Sequence, residues 1–171
     1  VAPTHNYSIY AKYLGEAVMI ARDNTKSFWQ DEYRTKITSI RFIKDEIPED
    51  RPMLDDLQVD GAARIGAYVE DNGNGGYVLT VVSPNTIYAY GNVTGYFEDF
   101  INVEEFDFTN FDTSKVTTMY NMFNSCKKIT NIDLSKFVTS RVNNMKQMFY
   151  GCTSLTDLNI KKFDTSQVTN M

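Results

Sequence analysis

The stretch Phe111-Asp112-Thr113-Ser114-Lys115-Val116 occurs twice more, as Phe137-Val138-Thr139-Ser140-Arg141-Val142 and as Phe163-Asp164-Thr165-Ser166-Gln167-Val168. Successive copies begin 26 residues apart. A period in the range of roughly 20–50 residues is typical of repeat proteins, in which each unit buries its apolar face only against a neighbouring unit. The sequence is therefore, before anything else, a repeat array.

Each repeat has two halves that differ in the spacing of their apolar residues. One half has apolar residues at i, i+3, i+5 and i+8, as in Ile129, Ile132, Leu134 and Phe137. That is the leucine-rich-repeat spacing, and the alternation at its centre predicts a short, half-buried strand. The other half, residues 116–123, spaces its apolar residues by three and four, which predicts a short helix.

The two halves together predict an α/β repeat fold, a leucine-rich-repeat solenoid with a non-repeating N-terminal α/β cap. The solenoid should occupy residues 93–171 as two and a half to three rungs. Residues 1–92 lack the 26-residue period and should form the capping region. Because Met171 falls in the middle of a helical half, we expect the array to continue beyond it.

Three kinds of element are predicted within the capping region. Apolar residues on one helical face predict a helix over residues 8–23. Residues 36–43 have the composition of a strand that ends before two prolines. Residues 62–70 and 77–83 should form a hairpin around a glycine-rich turn, with a further strand near residues 86–90.

The repeat resembles that of a known family of surface proteins. Its residues follow the pattern Phe-Asp-Thr-Ser-x-Val-Thr-x-Met-x-x-Met-Phe, then a Cys, then Leu-Thr-x-Leu, over Val93 to Met171. This pattern resembles the repeat of BspA-like leucine-rich-repeat surface proteins. The resemblance implies a non-enzymatic, extracellular or cell-surface module that mediates adhesion to host or neighbouring cells. The alternative is a structural or assembly protein whose array acts as a spacer or packs in a surface or phage particle.

Composition and residue counts argue against several classes of function. The net charge of −5, without a cluster of Lys and Arg, argues against nucleic acid as a partner. The sequence has no run of about 18 apolar residues that could span a membrane. The one histidine, His5, cannot build a histidine-based triad or a multi-histidine metal site. We therefore expect neither enzyme activity nor a metal or other cofactor.

Cys126 and Cys152 occupy the same position in successive repeats, so stacking could bring them together. Buried free thiols that pack as small apolar side chains would explain the pair. A disulfide is the second interpretation, and it needs Cα atoms roughly 4.4–6.8 Å apart, which the sequence spacing does not settle. A metal or redox role is the third.

The candidate binding surface is the exposed face of the predicted strands. Residues between the inward-facing positions form three polar columns across the repeats, and in leucine-rich repeats such positions line the face used for binding. Plain solvation is the competing interpretation. The candidate ligand-binding residues are Glu105, Asn131 and Asp157, then Asp107, Asp133 and Asn159, then Thr109, Ser135 and Lys161. Tyr120 and Tyr150, on the helical side, are weaker candidates.

Two kinds of partner are expected from these patterns. The polar, acidic strand face would bind a protein or glycan on a host or neighbouring cell. The last rung, which ends at Met171, would expose its apolar side and could be covered by a second copy of the chain.

Overall fold

The computed structural model describes residues 15–171, which form ten short strands and two short helices. The helices are a 3-10 helix at Ser27–Trp29 and α1 at Asp31–Arg34. The strands are β1 (Ala17–Val18), β2 (Ile37–Lys44), β3 (Asp55–Asp56), β4 (Gly66–Asp71), β5 (Tyr77–Ser83), β6 (Ile87–Tyr88), β7 (Glu105–Asp107), β8 (Phe111–Asp112), β9 (Asn131–Asp133) and β10 (Asp157–Asn159).

The described strands form three sheets. The largest has the order β3-β4-β5-β2-β7, with β2 parallel to both β5 and β7 and the remaining pairs antiparallel. A second sheet has the order β1-β6-β8 and is parallel throughout. The third consists of β9 and β10, paired in parallel with Leu158 opposite Ile132. Because β7 lies beside β9, the repeat strands continue from the edge of the largest sheet.

The prediction of an α/β leucine-rich-repeat solenoid with an α/β cap is wrong. In residues 15–171 the fold is mostly β-sheet, and the two helices both lie before the first repeat. The repeats therefore do not alternate strand with helix. Their second halves are turns that are joined from one unit to the next by isolated parallel bridges at Asn92, Thr118, Asn144 and Asn170.

The backbone of the repeat turns explains why the spacing of three and four produces no helix. Residues at two positions of each unit have positive φ, which interrupts a right-handed helix. They are Gly95, Asn121 and Gln147 at one position and Asp99, Ser125 and Gly151 at the other. Apolar spacing does not distinguish this turn from a helix, since both place every third or fourth side chain inward.

Hydrogen bonding in these turns alternates between bonds within a unit and bonds to the next unit. The N–H groups of Tyr96 and Glu98 donate to carbonyls three residues earlier, both at 3.1 Å. The N–H groups of Gly95, Phe97 and Asp99 instead donate to carbonyls of the following unit, at 2.8–2.9 Å. Half of the N–H groups that would donate within a helix therefore donate to carbonyls of the neighbouring repeat.

One continuous core joins the repeats to the preceding residues. A column of rings runs through the units, with centroid separations of 5.4 Å for Phe97–Phe123 and 5.6 Å for Phe123–Phe149. Phe42 of β2 packs against Phe111, with centroids 4.5 Å apart. Because β2 pairs with β7 and β6 pairs with β8, residues on the two sides of position 92 share sheets as well as the core.

The elements predicted before the repeats have mixed outcomes. The helix predicted over 8–23 is wrong within the described residues, since Ala17–Val18 is strand β1; residues 8–14 lie outside them. The strand predicted at 36–43 corresponds to β2. The predicted hairpin is present as β4 and β5.

The turn of this hairpin is held by one asparagine. Oδ1 of Asn72 accepts hydrogen bonds from the N–H groups of Asn74 at 2.8 Å and Gly76 at 3.0 Å. Gly73 and Gly75 have φ of 77° and 81°, a region that favours glycine because it has no Cβ. The conformation of the turn therefore explains the two glycines.

Candidate functional site

The predicted strand face is formed by β7, β9 and β10. On β7, Glu105 is exposed, whereas Phe106 and Asp107 are both partly buried. On β9, Ile132 is only 3% exposed, whereas Asn131 and Asp133 on either side are exposed. Asp157 and Asn159 are likewise exposed on β10. The outward residues of all three strands therefore lie on one side of the repeats.

The middle column of this face, Asp107, Asp133 and Asn159, also ends the strands. Oδ1 of Asp107 accepts a hydrogen bond from the N–H of Thr109 at 2.8 Å, and Oδ1 of Asp133 accepts one from Ser135 at 2.9 Å. Oδ1 of Asn159 accepts a longer one from Lys161, at 3.5 Å. An Asp or Asn side chain that binds the backbone two residues later forms a local turn. These side chains therefore have a structural role that sequence spacing did not indicate.

The carboxylate of Asp133 is stabilised in its charged form. Hydrogen bonds from the backbone N–H and then the side chain of Ser135 lower the pKa of Asp133, and Lys136 and Lys162 lower it further. Asp133 is exposed and charged at neutral pH. It can therefore serve the turn and accept a hydrogen bond from a ligand at once.

The first column has no structural role of this kind. The side chains of Glu105, Asn131 and Asp157 are exposed, and within residues 15–171 they make no hydrogen bond or ion pair. In the third column, Thr109 and Lys161 are exposed and Ser135 is partly buried.

A pocket of about 250 Å³ in this face, the strand-face pocket, brings four of the predicted residues together. It lies where β7 and β9 end. It is lined by the predicted residues Glu105, Asp107, Thr109 and Asp133 and by three others, Phe106, Phe108 and Lys136. The other five predicted residues, Asn131, Ser135, Asp157, Asn159 and Lys161, lie outside it.

The three unpredicted lining residues change the chemistry of the pocket. Phe106 is partly exposed and stacks on Phe108, with ring centroids 5.4 Å apart and planes within 8°. Lys136 adds a cation to the lining and helps to lower the pKa of Asp133, and it forms no ion pair with any described residue. The recurrence of lysine as Lys136 and Lys162 in successive repeats could have indicated the cation. Phe106 could not be found in this way, because it occupies the repeat position of the buried Ile132.

A second pocket of about 220 Å³ continues the first one past the strand ends. It shares Phe108, Thr109 and Lys136 with the strand-face pocket and is extended by Thr86 and Asp112. Thr86 precedes β6, so residues before the repeats contribute to this surface. The two pockets together form one polar groove with an aromatic floor.

The groove combines hydrogen-bond acceptors, a cationic donor and an apolar surface. No group of three or more Asp, Glu, His or Cys side chains in residues 15–171 is placed to hold a metal ion. Its carboxylates can accept hydrogen bonds, Lys136 can donate them, and the exposed part of Phe106 offers an apolar face. The arrangement suits recognition of a polar ligand.

The two cysteines form a column of free thiols, so the disulfide interpretation is wrong. Sγ of Cys126 donates to the carbonyl of Phe97 at 3.2 Å, and Sγ of Cys152 donates to the carbonyl of Phe123 at 3.1 Å. Burial raises the pKa of both thiols above the ordinary value of 9.0. These thiols therefore link successive units and are poor nucleophiles.

Tyr120 and Tyr150 lie away from the strand-face pocket. The hydroxyl of Tyr120 donates to Oε1 of Gln147 at 3.2 Å, across successive repeats. Tyr150 is 64% exposed. His5 lies outside the described residues. None of the described helices is both long and apolar enough to cross a membrane.

Comparisons with known proteins relate the repeats to a family. Residues 91–171 match the family described as Mycoplasma protein of unknown function, DUF285. Searches of curated proteins and of solved structures found no match. The similarity covers the repeat segment, including all the candidate ligand-binding residues, and its description gives no activity.

Proposed function

We propose that this chain is a non-enzymatic binding module of a surface protein, which attaches to a protein or glycan on a host or neighbouring cell through the strand-face pocket. The observation that carries the proposal is the composition of that pocket. The pocket of about 250 Å³ is lined by three carboxylates, by a lysine that has no ion pair with any described residue and by a partly exposed aromatic ring. The extracellular setting is supported by the resemblance of the repeat to that of BspA-like surface proteins.

The lining groups match the needs of a polar ligand. Carboxylate oxygens accept hydrogen bonds from sugar hydroxyls or from basic side chains, and bonds to charged groups are stronger than neutral ones. The exposed part of Phe106 can pack against the apolar face of a sugar ring or a side chain. Because backbone N–H groups hold the carboxylates of Asp107 and Asp133, these two groups are positioned before the ligand arrives.

The test is a panel of immobilised glycans and extracellular-matrix proteins probed with the chain and with the double variant Asp107→Asn/Asp133→Asn. Asparagine keeps the side-chain oxygen that each strand-end turn needs, as Asn159 does in the next unit. The variant therefore removes two charges from the pocket while it retains the turns. Asp164→Asn is the matched control, since Asp164 accepts a bond from Ser166 outside the pocket.

We expect at least about a tenfold loss of binding for the double variant, since each charged hydrogen bond contributes about 1.5–3 kcal/mol. The control should bind as the parent does. Equal binding by all three proteins would remove the strand-face pocket as the attachment site.

A further inference from the structure

The turn between β4 and β5 contains two Asn-Gly pairs, Asn72-Gly73 and Asn74-Gly75. An asparagine loses its side-chain amide without an enzyme when the backbone nitrogen of the next residue attacks its Cγ. A glycine in that next position favours the attack, because it has no Cβ to hinder it. The sequence alone therefore makes both pairs candidates for deamidation, but their surroundings in the folded chain differ.

The side chain of Asn72 is held at both ends of its amide group. Its Oδ1 accepts hydrogen bonds from the N–H groups of Asn74 at 2.8 Å and Gly76 at 3.0 Å. Its Nδ2 donates to Oγ1 of Thr38 on β2 at 2.9 Å. The side chain cannot turn its Cγ toward the following nitrogen until these three bonds break.

The two attacking nitrogens also differ. The N–H of Gly73 donates to Oδ1 of Asp71 at 2.7 Å, so the nitrogen that would attack Asn72 is itself bonded. The N–H of Gly75 donates no hydrogen bond to any residue in the described range 15–171. Gly75 is exposed and lies outside both strands, so solvent can take the proton from its nitrogen.

Asn74 combines this open nitrogen with an open side chain. It is exposed, and its side-chain amide makes no hydrogen bond with any residue that the structure describes. Its only hydrogen bond is made by its backbone N–H, to Asn72. The two pairs have the same sequence and the same turn, yet only Asn74-Gly75 has both reacting groups accessible.

We propose that Asn74 is a site of spontaneous deamidation and that the fold protects Asn72. The nitrogen of Gly75 loses its proton to solvent base and forms a bond to Cγ of Asn74. The bond from Cγ to Nδ2 breaks, and the nitrogen takes up a proton and leaves as ammonia. Water then hydrolyses the five-membered succinimide at either carbonyl, which produces aspartate or isoaspartate at position 74.

Both products change the turn. Each adds a carboxylate close to Asp71, and the net charge becomes one unit more negative than −5. Isoaspartate also adds one carbon to the main chain between the nitrogens of Asn74 and Gly76, the two groups that share Oδ1 of Asn72. None of these residues lines the strand-face pocket, so the modification stands apart from the proposed function.

Incubation of the folded chain in mildly alkaline buffer, followed by peptide mapping with tandem mass spectrometry, tests the proposal. We expect Asn74 to deamidate at least about tenfold faster than Asn72, because several hydrogen bonds must break before Asn72 can react. In denaturant, where these bonds are absent, the two asparagines should react at closely similar rates. An isoaspartate-specific methyltransferase assay should detect isoaspartate in the aged folded chain.

Two variants sharpen the test, with circular dichroism as the check that each is folded. Thr38→Val removes the partner of Nδ2 of Asn72 at nearly constant shape, so it should speed deamidation of Asn72 and leave that of Asn74 unchanged. Asn74→Gln should remove most of the acidic product, because a glutamine would have to close a six-membered ring.

Equal rates at the two asparagines of the folded parent would overturn the proposal. So would an Asn74 that stays intact in the folded chain while both asparagines react in denaturant. A Thr38→Val chain in which Asn72 reacts no faster than in the parent would also contradict it, since protection of Asn72 by its hydrogen bonds is part of the proposal.

Discussion

Single residues with positive φ decide the course of the repeat turns. Glycine occupies some of these positions, whereas Asn121, Ser125 and Gln147 adopt the same backbone with a Cβ. A left-handed residue with a Cβ costs roughly 1–2 kcal/mol. The repeat therefore tolerates strain where the inter-unit hydrogen bonds fix the backbone.

Ser125→Gly should raise the free energy of unfolding by about 0.5–1 kcal/mol, because the relief of strain exceeds the added freedom of the unfolded chain. Gly151 already stands at the equivalent position of the next unit, with φ of 72°. Denaturant unfolding measures the change. Ser140→Gly is the control, at a residue without positive φ, and it should lower the stability. Destabilisation by both substitutions would contradict this account of the turns.

Titration of Asp133 tests the hydrogen bonds that end β9. By NMR, the carboxyl should titrate below its ordinary pKa of 3.8. A depressed folded-state pKa stabilises the fold at pH above the unfolded-state value, and this contribution is lost as the pH falls through the folded-state value. Ser135→Ala should raise the pKa of Asp133 only part of the way, since the backbone N–H remains. An unchanged pKa in the variant would exclude the hydroxyl as a contributor.

At the scale of elements, the repeat units are linked through buried threonines as well as through backbone bonds. Oγ1 of Thr139 donates to the carbonyl of Asp164 at 3.1 Å and accepts from its N–H at 2.8 Å. Thr113 makes the same two bonds to Val138. Each threonine therefore satisfies both backbone groups of a residue in the next unit.

Thr139→Val should lower the free energy of unfolding by about 1–3 kcal/mol, because it leaves the N–H and C=O of Asp164 without these partners. Thr165→Val is the matched control: Thr165 occupies the same repeat position, is exposed, and makes no side-chain hydrogen bond with a described residue. Chemical denaturation of both variants measures the change in the free energy of unfolding. Equal losses would show that the effect comes from valine itself.

The sequence predicted the elements whose signal is local. The alternation of apolar and polar residues predicted β9, and the glycine-rich turn predicted the β4–β5 hairpin. The helix predicted for the second half of each repeat is absent. Residues with positive φ interrupt it, and some of its N–H groups donate to the next unit, although the apolar spacing is that of a helix. The pairing of β2 with β7 could not be predicted from the sequence, because it joins residues far apart in the chain.

At the scale of the whole molecule, the polar groove depends on packing between the repeats and the residues before them. β2 holds β7 in place at one side, and Thr86 contributes to the extended groove. Alternation alone identified Glu105, Asp107, Thr109 and Asp133 as exposed candidates. Alternation could not identify which of the nine predicted ligand-binding residues line a pocket, because this depends on where β7 and β9 end relative to each other.

The central claim is that attachment uses the strand-face pocket. Its most direct test is the mapping of backbone amide chemical shifts while the strongest binder from the glycan and matrix-protein panel is added to the labelled chain. The account predicts saturable changes at residues 105–109 and 133–136, with Tyr120 and Tyr150 unaffected. Changes centred on Tyr120 and Tyr150, with the residues of the strand-face pocket unmoved, would contradict it.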